Sequence, residues 1–505
     1  MKNKFMRDFG IYTASSVFLN ILGMLFRIYV SNRIGAEGMG LHSLVYSVYT
    51  PAVTLATSAV NLASTRLVTE AVAKNKRGSV RKIMLCCFVY SLCFGAFAFC
   101  CVFFGAGFIA ENWIKDQAAV LPLRILSFGL PFLSISSALH GAFTALRKIS
   151  KSVAVQITED FVKIGATLFA LSLFADAAGI STTASGCVCL VLGSAIGEFI
   201  SCVAALILYK AEKLEKNHGE KASVHSKKLF KIALPTAFSS YLRSGISMFE
   251  KLMVPVGFGK YGLTQSEALS FLGLFGGMVY PVVFFPATLL NSFSRLIVPE
   301  IAAAYETDDK ERIESIAVKS IKTTLIFAIF VSGIFILFAD FIGNELYSSA
   351  EAGLYIRVLS PLVPLMYLDS VVDSLLKGLN QQVASMRINI FDSAIRTALV
   401  CFLLPVSGFT GYVFITYFST IFNGLMSIRR LVKVSAVEFS LFECFFRPLF
   451  YTAAAILPVF TVYYCLKPRI SVFFGIAVCA MLYFIYMKNE LPFVSVFTRR
   501  KQRLT

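Results

Sequence analysis

The chain has 505 residues, of which 57% are hydrophobic and only 15% charged, and its mean hydropathy is +0.73. Soluble domains carry about 25% charged residues, so this composition excludes an ordinary soluble protein. The apolar segments are long and continuous rather than alternating, which excludes an outer-membrane β-barrel. We therefore predict an all-α polytopic membrane protein.

Apolar segments of roughly 20 residues, long enough to cross a bilayer, recur along the whole chain. Fourteen such segments are present, and the sequence therefore predicts fourteen transmembrane helices. In chain order the predicted spans are 9–33, 39–63, 82–108, 118–145, 152–174, 182–209, 229–256, 265–292, 316–342, 353–376, 384–405, 409–431, 445–466 and 470–487.

The net charge of +18 does not indicate nucleic-acid binding. Lysine and arginine concentrate in every second connection between the apolar segments, as the positive-inside rule requires. The basic start, with Lys2, Lys4 and Arg7, and the basic end, with Arg499 and Arg500, then both belong inside. We predict that the two termini are cytoplasmic.

Residue patterns typical of catalysis are missing from the sequence. The twelve cysteines lie mostly within the apolar spans and show no metal-ligand spacing. A cysteine in such surroundings behaves as a small hydrophobic residue, so neither disulfides nor a zinc site are expected. No nucleophile–base constellation or phosphate loop is present either. We therefore predict a transporter and not an enzyme, with no metal and no cofactor.

An internal repeat relates the two halves of the chain. YTPAVTLATSAVNLASTRLVTEA (49–71) matches VYPVVFFPATLLNSFSRLIVPEI (279–301), and LRILSFGLP (123–131) matches IRVLSPLVP (356–364). Matched segments lie six spans apart and start on the same side of the membrane, so the repeat is parallel. Transporters built from such repeats hold the substrate between the halves. The equivalent polar positions include Asn61 and Asn291, Glu70 and Glu300, Arg124 and Arg357, and two pairs expected to be self-compensating, Asp160–Lys163 and Asp392–Arg396.

This repeat predicts the domain organisation. Residues 1–209 form an N-terminal six-helix half, and the polar stretch 210–228 is a cytoplasmic linker. Residues 229–431 form the second six-helix half. Residues 432–505 add two further transmembrane helices and a basic cytoplasmic tail.

The helix plan and several motifs resemble a known family. The motif R-[IV]-L-S-x-x-x-P in both halves, with ALPTAFSSYLRSGISMFEKLMVPVGF (233–258) and LLNSFSRLIVPEIA (289–302), resembles the stage V sporulation protein B group. That group is similar to the MurJ-type lipid II flippases of the multidrug/oligosaccharidyl-lipid/polysaccharide exporter superfamily. The resemblance implies outward movement of an undecaprenyl-linked anionic glycan precursor through a central cavity lined with cations. Arg27 matches the cavity cation of the first helix, whereas helix 8 has no basic residue before Arg295.

Four arginines are candidate ligands for an anionic head group. Arg27 lies in the outer half of the first span, where snorkelling to the surface competes with phosphate binding. The resemblance favours phosphate binding. Arg243 lies near mid-membrane on the seventh span, where a charge needs a polar cavity or a partner. Arg66 and Arg295 end spans 2 and 8 at the inner mouth, and both membrane anchoring and phosphate capture stay open for them.

Five further charged residues within the spans are candidates for ion coupling or charge relay: Glu198, Asp369, Asp373, Glu250 and Lys251. Glu198 is the most deeply placed acid, and it fits either a coupling-ion site or a buried partner for an arginine. Asp369 and Asp373 form with Lys377 a stripe along one helix face, which a local charge ladder also explains.

Taken together, the residues and the resemblance predict an alternating-access flippase in the bacterial cytoplasmic membrane, serving cell-wall or spore-cortex synthesis. Two alternatives stay open. An ion-coupled exporter of cationic drugs would need acids to dominate its cavity, and a non-transporting scaffold for envelope assembly would have self-paired charges. The expected partners are the lipid-linked anionic glycan and the bilayer, with cell-wall synthesis proteins as further candidates. We expect a monomer, and H+ or Na+ as the coupling ion if one is used.

Overall fold

The computed structural model describes residues 2–74, 77–175, 182–212, 222–435, 442–466 and 472–487. Every regular element within these residues is helical, because a backbone in lipid must satisfy its hydrogen bonds internally. Nine helices in the described chain are long and apolar enough to cross a membrane. The predicted all-α, multi-pass class is confirmed, whereas the count of fourteen spans and the orientation stay predictions. The basic tail and residues 213–221 of the predicted linker lie outside the described residues.

The chain forms two compact units, Met1–Gly277 and Met278–Thr505. The predicted division at 210–228 stays a prediction. Within the described residues, the α-helices of the first unit are α1 (Lys2–Thr57), α2 (Val60–Ala73), α3 (Val80–Phe108), α4 (Val120–Ala145), α5 (Ile149–Ala175), α6 (Thr182–Lys210), α7 (Ala222–Tyr261) and α8 (Gln265–Gly273). Single 3₁₀ or π-helical turns span Arg77–Ser79, Ile109–Ile114, Gln117–Ala119 and Leu274–Val279.

The second unit continues the helical pattern, and α15 and α16 pack on each other and on α11. Its α-helices are α9 (Tyr280–Phe284), α10 (Ala287–Glu306), α11 (Lys310–Tyr347), α12 (Ala350–Leu359), α13 (Val363–Gly378), α14 (Gln382–Ser435), α15 (Arg447–Leu466) and α16 (Val472–Met487). A 3₁₀ turn covers Ser360–Leu362, and a π-helical turn covers Phe442–Phe446.

Two long helices each join two predicted spans across one glycine. In α1 the break is at Gly35, with φ 81° and ψ 173°, and in α14 it is at Gly408, with φ 55° and ψ −131°. Positive φ is accessible to glycine because it has no Cβ. The predicted connections between spans 1 and 2 and between spans 11 and 12 are therefore sharp kinks rather than extended loops.

A third break interrupts the predicted span 39–63. Ser58 and Ala59 have φ of 40° and 56°, and they separate α1 from α2. Such a conformation costs about 1–3 kcal/mol for a residue with a side chain, so neighbouring contacts must hold it. The Tyr90 hydroxyl donates to the Ser58 carbonyl at 3.2 Å, and the hydroxyls of Ser58 and Tyr241 are hydrogen-bonded to each other.

Small residues let the helices of the first unit approach closely, as is common between membrane helices. A Cβ built on Gly193 would lie 2.0 Å from Thr167 Oγ1, and one built on Gly141 would lie 1.9 Å from Ser64 Oγ. The glycines therefore allow α6 to pack on α5 and α4 to pack on α2. This packing brings the polar residues of α5 and α6 to the inside of the unit.

Candidate functional site

A cavity of about 360 Å³ lies inside the first unit, and we name it the basic cavity. It is lined by α1, α5, α6 and α7 and by two glycines that follow α8. Its charged and polar lining residues are Arg27, His42, Ser43, Tyr46, Thr50, Asp160, Lys163, Ser194 and Lys251, and its apolar wall includes Leu19, Phe26, Val30, Met39, Ile164 and Leu190.

Three cations from three different helices line this cavity. Arg27 comes from α1, Lys163 from α5 and Lys251 from α7, and Asp160 is the acid among the lining residues. With His42 neutral, the formal charge of the lining is therefore +2. Neither Arg27 nor Lys163 forms an ion pair within 4 Å in the part of the chain that the structure describes. A positive surface between apolar walls attracts anions.

Three ring side chains lie along one face of α1, beginning at the basic cavity and ending at Glu198. His42, Tyr46 and Tyr49 recur at intervals of four and three residues, so they share a face of the helix. The rings of His42 and Tyr46 are 4.5 Å apart between centroids, and those of Tyr46 and Tyr49 are 5.6 Å apart. The Tyr46 hydroxyl donates to Ser194 Oγ at 2.8 Å, and the Tyr49 hydroxyl lies 2.9 Å from both carboxylate oxygens of Glu198.

Glu198 belongs to a second cavity of about 230 Å³, which we name the acidic cavity. It is lined by Thr57, Asn61, Leu133, Ser136, Ser137, His140, Glu159, Glu198 and Ser201. Glu198 is only 7% exposed. A Cβ built on Gly129 would lie 1.7 Å from Glu198 Oε2, so the carboxylate occupies space that only glycine leaves free. Among the described residues its hydrogen-bond donor is a tyrosine rather than an arginine, and the depth of Glu198 within the membrane stays a prediction.

Lys163 connects the two cavities electrostatically. It lines the basic cavity, and its charge also acts on Glu159 and Glu198. Close packing of α5 on α6 produces this position. A Cβ built on Gly197 would lie 3.2 Å from Lys163 Cβ and 3.2 Å from the carbonyl oxygen of Glu159.

The arginines predicted as cavity ligands are separated in the structure. Arg27 lines the basic cavity, together with Lys251 from the second set of candidates. Arg66 on α2 and Arg243 on α7 are exposed and belong to the lining of neither cavity. The side chain of Arg295 lies outside the described residues. A substrate contact by these three arginines stays a prediction.

The remaining acidic candidates have polar contacts of their own. Asp369 accepts a hydrogen bond from Asn423 Nδ2 at 3.2 Å. Asp373 forms an ion pair with Lys377 at 2.5 Å and accepts a hydrogen bond from the Ser385 hydroxyl. The local charge ladder considered for this stripe is therefore formed between Asp373 and Lys377. Glu250 is 8% exposed on α7.

Sequence reasoning missed Lys163 as a cavity cation. The pairing expected between Asp160 and Lys163 is not formed as an ion pair within 4 Å in the described chain, and both residues line the basic cavity. The reason is that α5 packs on α6 in an orientation that turns Asp160 and Lys163 toward the basic cavity. The face formed by His42, Tyr46 and Tyr49 was also missed, although its helical spacing is visible in LHSLVYSVYT (41–50).

Comparisons with known proteins agree with this architecture. The family described as "Polysaccharide biosynthesis protein" matches residues 5–258. Stage V sporulation protein B of Bacillus subtilis (strain 168) is 24% identical over 454 residues, which cover 88% of this chain and 86% of that protein. Lipid II flippase MurJ of the same organism is 24% identical over 469 residues, which cover 85% and 83%.

The fold is also that of a solved flippase structure. The lipid II flippase MurJ in an inward closed conformation matches with a TM-score of 0.69 at 14% sequence identity, over 96% of this chain and 99% of that one. The predicted resemblance to the group of stage V sporulation protein B and MurJ is therefore confirmed, and it extends over most of the chain.

Proposed function

Since the chain belongs to the polysaccharide biosynthesis protein family, we propose that it is an alternating-access flippase for an undecaprenyl-linked anionic glycan precursor. The precursor, such as a lipid intermediate of peptidoglycan, moves from the inner to the outer leaflet for cell-wall or spore-cortex synthesis. The protein then acts as a transporter and not as an enzyme.

The observation that carries this proposal is the basic cavity. Its net positive lining suits a pyrophosphate, because the guanidinium of Arg27 offers a planar fork and the two ammonium groups act as point charges. A volume of about 360 Å³ is that of a site for a small polar group. In this proposal the cavity receives the pyrophosphate and adjoining sugar, while the polyprenyl chain stays in the lipid.

The net positive charge of the residues that line the basic cavity also favours an anionic substrate over a cationic drug. An exporter of cations needs acids in its substrate site, whereas here three cations face one acid. One relative is named a lipid II flippase and another a sporulation protein, and both names support a cell-wall precursor. An inside-negative potential drives a bound anion outward by about 2.3 kcal/mol per charge per 100 mV.

The residue roles follow from the cavity. Arg27, Lys163 and Lys251 bind the pyrophosphate, and Asp160 limits the positive charge that the substrate meets. We also propose as substrate contacts Arg66 and Arg243, which line neither cavity, and Arg295.

A leaflet-exposure assay tests the function. Cells that lack other flippases are depleted of the protein, and the labelled precursor accessible at the outer surface is quantified. Depletion should abolish exposure, and the wild-type gene should restore it. Arg27→Ala should restore at least about tenfold less, because a charge-assisted hydrogen bond contributes about 1.5–3 kcal/mol.

The matched control is Arg357→Ala in the second unit, which removes an arginine that is ion-paired with Asp340 and lines neither cavity. It should restore exposure fully. Normal exposure in depleted cells would refute the flippase, and equal restoration by Arg27→Ala and wild type would refute the basic cavity as its substrate site.

A further inference from the structure

The second arm of α1, residues 36–57 after the kink at Gly35, lines the basic cavity with uncharged polar side chains. These side chains are His42, Ser43, Tyr46 and Thr50. Intervals of three and four residues connect Tyr46 to the other three, so all four lie near one face of the helix. The three cations of the lining come instead from the first arm of α1, from α5 and from α7. The cavity therefore offers two kinds of chemistry to one ligand.

Two of these four side chains have hydrogen bonds within the protein, and the other two do not. The Tyr46 hydroxyl donates to Ser194 Oγ at 2.8 Å, and the Thr50 hydroxyl donates to the carbonyl oxygen of Tyr46 at 2.7 Å. The ring of His42 packs on that of Tyr46, with 4.5 Å between their centroids. Within the part of the chain that the structure describes, neither the imidazole nitrogens of His42 nor the hydroxyl of Ser43 has a hydrogen-bond partner. These two polar groups of the lining are therefore available to a ligand.

A glycine keeps the space in front of Ser43 open. Gly276 also lines the basic cavity, and a Cβ built on it would lie 3.4 Å from Ser43 Oγ. A side chain at this position would occupy the place of a ligand group that is bound to the hydroxyl. The Ser43 hydroxyl therefore faces open space of the cavity.

The chemistry of these two groups suits hydroxyls and amides better than a second phosphate. A neutral imidazole has one donor and one acceptor nitrogen, and a serine hydroxyl both donates and accepts. A sugar with hydroxyl or acetamido groups likewise has donors and acceptors, whereas an ionised phosphate only accepts. The acceptor positions of His42 and Ser43 can therefore be used by a sugar and not by the pyrophosphate.

We propose that His42 and Ser43 form a sugar-recognition subsite of the basic cavity, and that the protein thereby selects a carrier lipid that bears a sugar over the bare polyprenyl pyrophosphate. The inference rests on the proposed anion-binding function of this cavity and adds its selectivity. A site that hydrogen-bonds one ligand discriminates against the analogue that lacks the bonding groups, because its own polar groups are then left unpaired. Unproductive transport of the empty carrier is avoided in this way.

Binding of two short-chain probes to the purified full-length protein in detergent tests the proposal. One probe is a polyprenyl pyrophosphate that bears a single N-acetylated aminohexose. The other is the same pyrophosphate capped by a methyl group, so that the two probes have equal charge. The wild-type protein should bind the sugar-bearing probe at least about tenfold more tightly than the methyl-capped probe, because the sugar adds hydrogen bonds to two groups.

Two variants remove the polar groups with little change of shape. His42→Phe keeps a ring for the contact with Tyr46 but removes the nitrogens, and Ser43→Ala removes the hydroxyl. Each should reduce the preference for the sugar-bearing probe severalfold, and the affinity for the methyl-capped probe should stay within about twofold of the wild type.

A third variant and a control test the position of the subsite. Gly276→Ala should also reduce the preference, because its Cβ occupies the space beside Ser43 and meets no other side chain within 4 Å. Ser47→Ala is the matched control. Ser47 lies one turn beyond Ser43, donates to the carbonyl oxygen of Leu44 and lines neither cavity, so this variant should keep the full preference.

The outcomes distinguish this proposal from the proposed function. If the wild type binds both probes equally, or if folded His42→Phe and Ser43→Ala keep its preference, the sugar subsite is overturned and the anion site stands. An equal loss of affinity for both probes in these variants also overturns the subsite, because the residues then act on pyrophosphate binding. If Arg27→Ala and Lys163→Met bind the methyl-capped probe as the wild type does, the proposed anion site itself fails. Size-exclusion profiles and melting temperatures establish folding for each variant.

Discussion

The two units contain polar pairs that the sequence repeat relates, and they use these pairs differently. In the first unit, Asp160 and Lys163 line the basic cavity without forming an ion pair within 4 Å in the described chain. In the second, Asp392 is 8% exposed and accepts a hydrogen bond from Ser419 at 2.7 Å. The charge of Arg396 acts on Asp392 as that of Lys163 acts on Asp160. The repeat thus preserves the positions of the charges, whereas the surroundings differ: the first pair lines a cavity, and the acid of the second is bound by a serine.

Other repeat-related positions show the same difference. Asn61 lines the acidic cavity, whereas its counterpart Asn291 accepts a hydrogen bond from the Ser370 hydroxyl at 2.9 Å. In both comparisons the polar groups of the first unit line a cavity, and an acid or amide of the second unit accepts a hydrogen bond from a serine. Under the proposed function, we therefore expect substitutions at these positions to affect transport in the first unit and stability in the second.

The largest expected difference is between Lys163→Met and Arg396→Met. Loss of Lys163 should lower precursor exposure at least about tenfold, because a charge-assisted contact with the substrate is removed. Loss of Arg396 should instead lower the free energy of unfolding by about 3 kcal/mol, because it leaves Asp392 buried without its compensating charge. Exposure assays and thermal unfolding of the purified variants provide the two measurements.

Methionine keeps most of the side-chain volume at both positions, so the two substitutions should disturb the packing to a similar extent. A large loss of stability in Lys163→Met with normal exposure would reverse the assignment and indicate that the α5 pair is structural. Normal stability of Arg396→Met would show that Asp392 does not depend on it.

The acids of the two pairs should also behave differently. Asp392→Asn loses its charged acceptor for Ser419 and should cost about 1–2 kcal/mol of stability. Asp160→Asn removes the acid that lines the basic cavity, so the variant should bind a short-chain polyprenyl pyrophosphate severalfold more tightly than the wild type does. Its free energy of unfolding should change by less than about 0.5 kcal/mol. Thermal unfolding and probe titration of both variants check this. Weaker probe binding in Asp160→Asn would mean that Asp160 positions a cation rather than opposing the anion.

The sequence was sufficient for the helical class and for much of the site. Continuous apolar runs predict spans, and the breaks at Gly35 and Gly408 fall between predicted spans because lipid leaves no other place for a polar backbone. Arg27 stood out because a charge in an apolar segment needs a reason. Glu198 stood out for the same reason, as an acid within an apolar span.

The contacts between distant residues could not be predicted in the same way. Tyr49 and Glu198 are 149 residues apart, and nothing local in either segment identifies the other. The role of Lys163 depends on the rotation of α5 against α6, which the close approach at Gly197 sets. A charge spacing of three residues on one helix is compatible with an ion pair and with two ligands, and only the neighbouring helix decides between them.

Two lysines of the first unit, Lys148 and Lys151, lie outside the cavities and should contribute to stability rather than transport. Lys148 and Lys151 form ion pairs with Glu212, which follows the end of α6. Burial opposes ionisation of Glu212, but the hydrogen bonds from the two lysines outweigh it and lower the pKa of this carboxyl below its ordinary value of 4.5. Glu212→Gln should therefore cost about 1 kcal/mol at neutral pH.

The pH dependence of this effect follows from linkage. A carboxyl whose pKa is lowered in the folded state stabilises the protein above its unfolded pKa, and this contribution is lost as the pH falls through the folded value. The melting temperatures of wild type and Glu212→Gln should differ at pH 7 and converge below pH 4.5. A difference that persists unchanged in acid would show that the ion pairs are not its source. Precursor exposure should be normal, because Glu212 and its two lysine partners line neither cavity.

The smallest effects are expected for Arg124→Ala and Arg357→Ala, at repeat-related positions outside both cavities. Arg357 forms an ion pair with Asp340, in which both side chains are about half exposed, and Arg124 lies over the ring of Phe103 at 5.8 Å. Exposed ion pairs and cation–π contacts each contribute at most about 1 kcal/mol. Thermal unfolding should therefore show small, similar losses, and precursor exposure should stay at the wild-type level. A transport defect in Arg124→Ala alone would extend the ligand chemistry of the first unit beyond its cavities, whereas a defect in Arg357→Ala would show that the second unit also contacts the substrate.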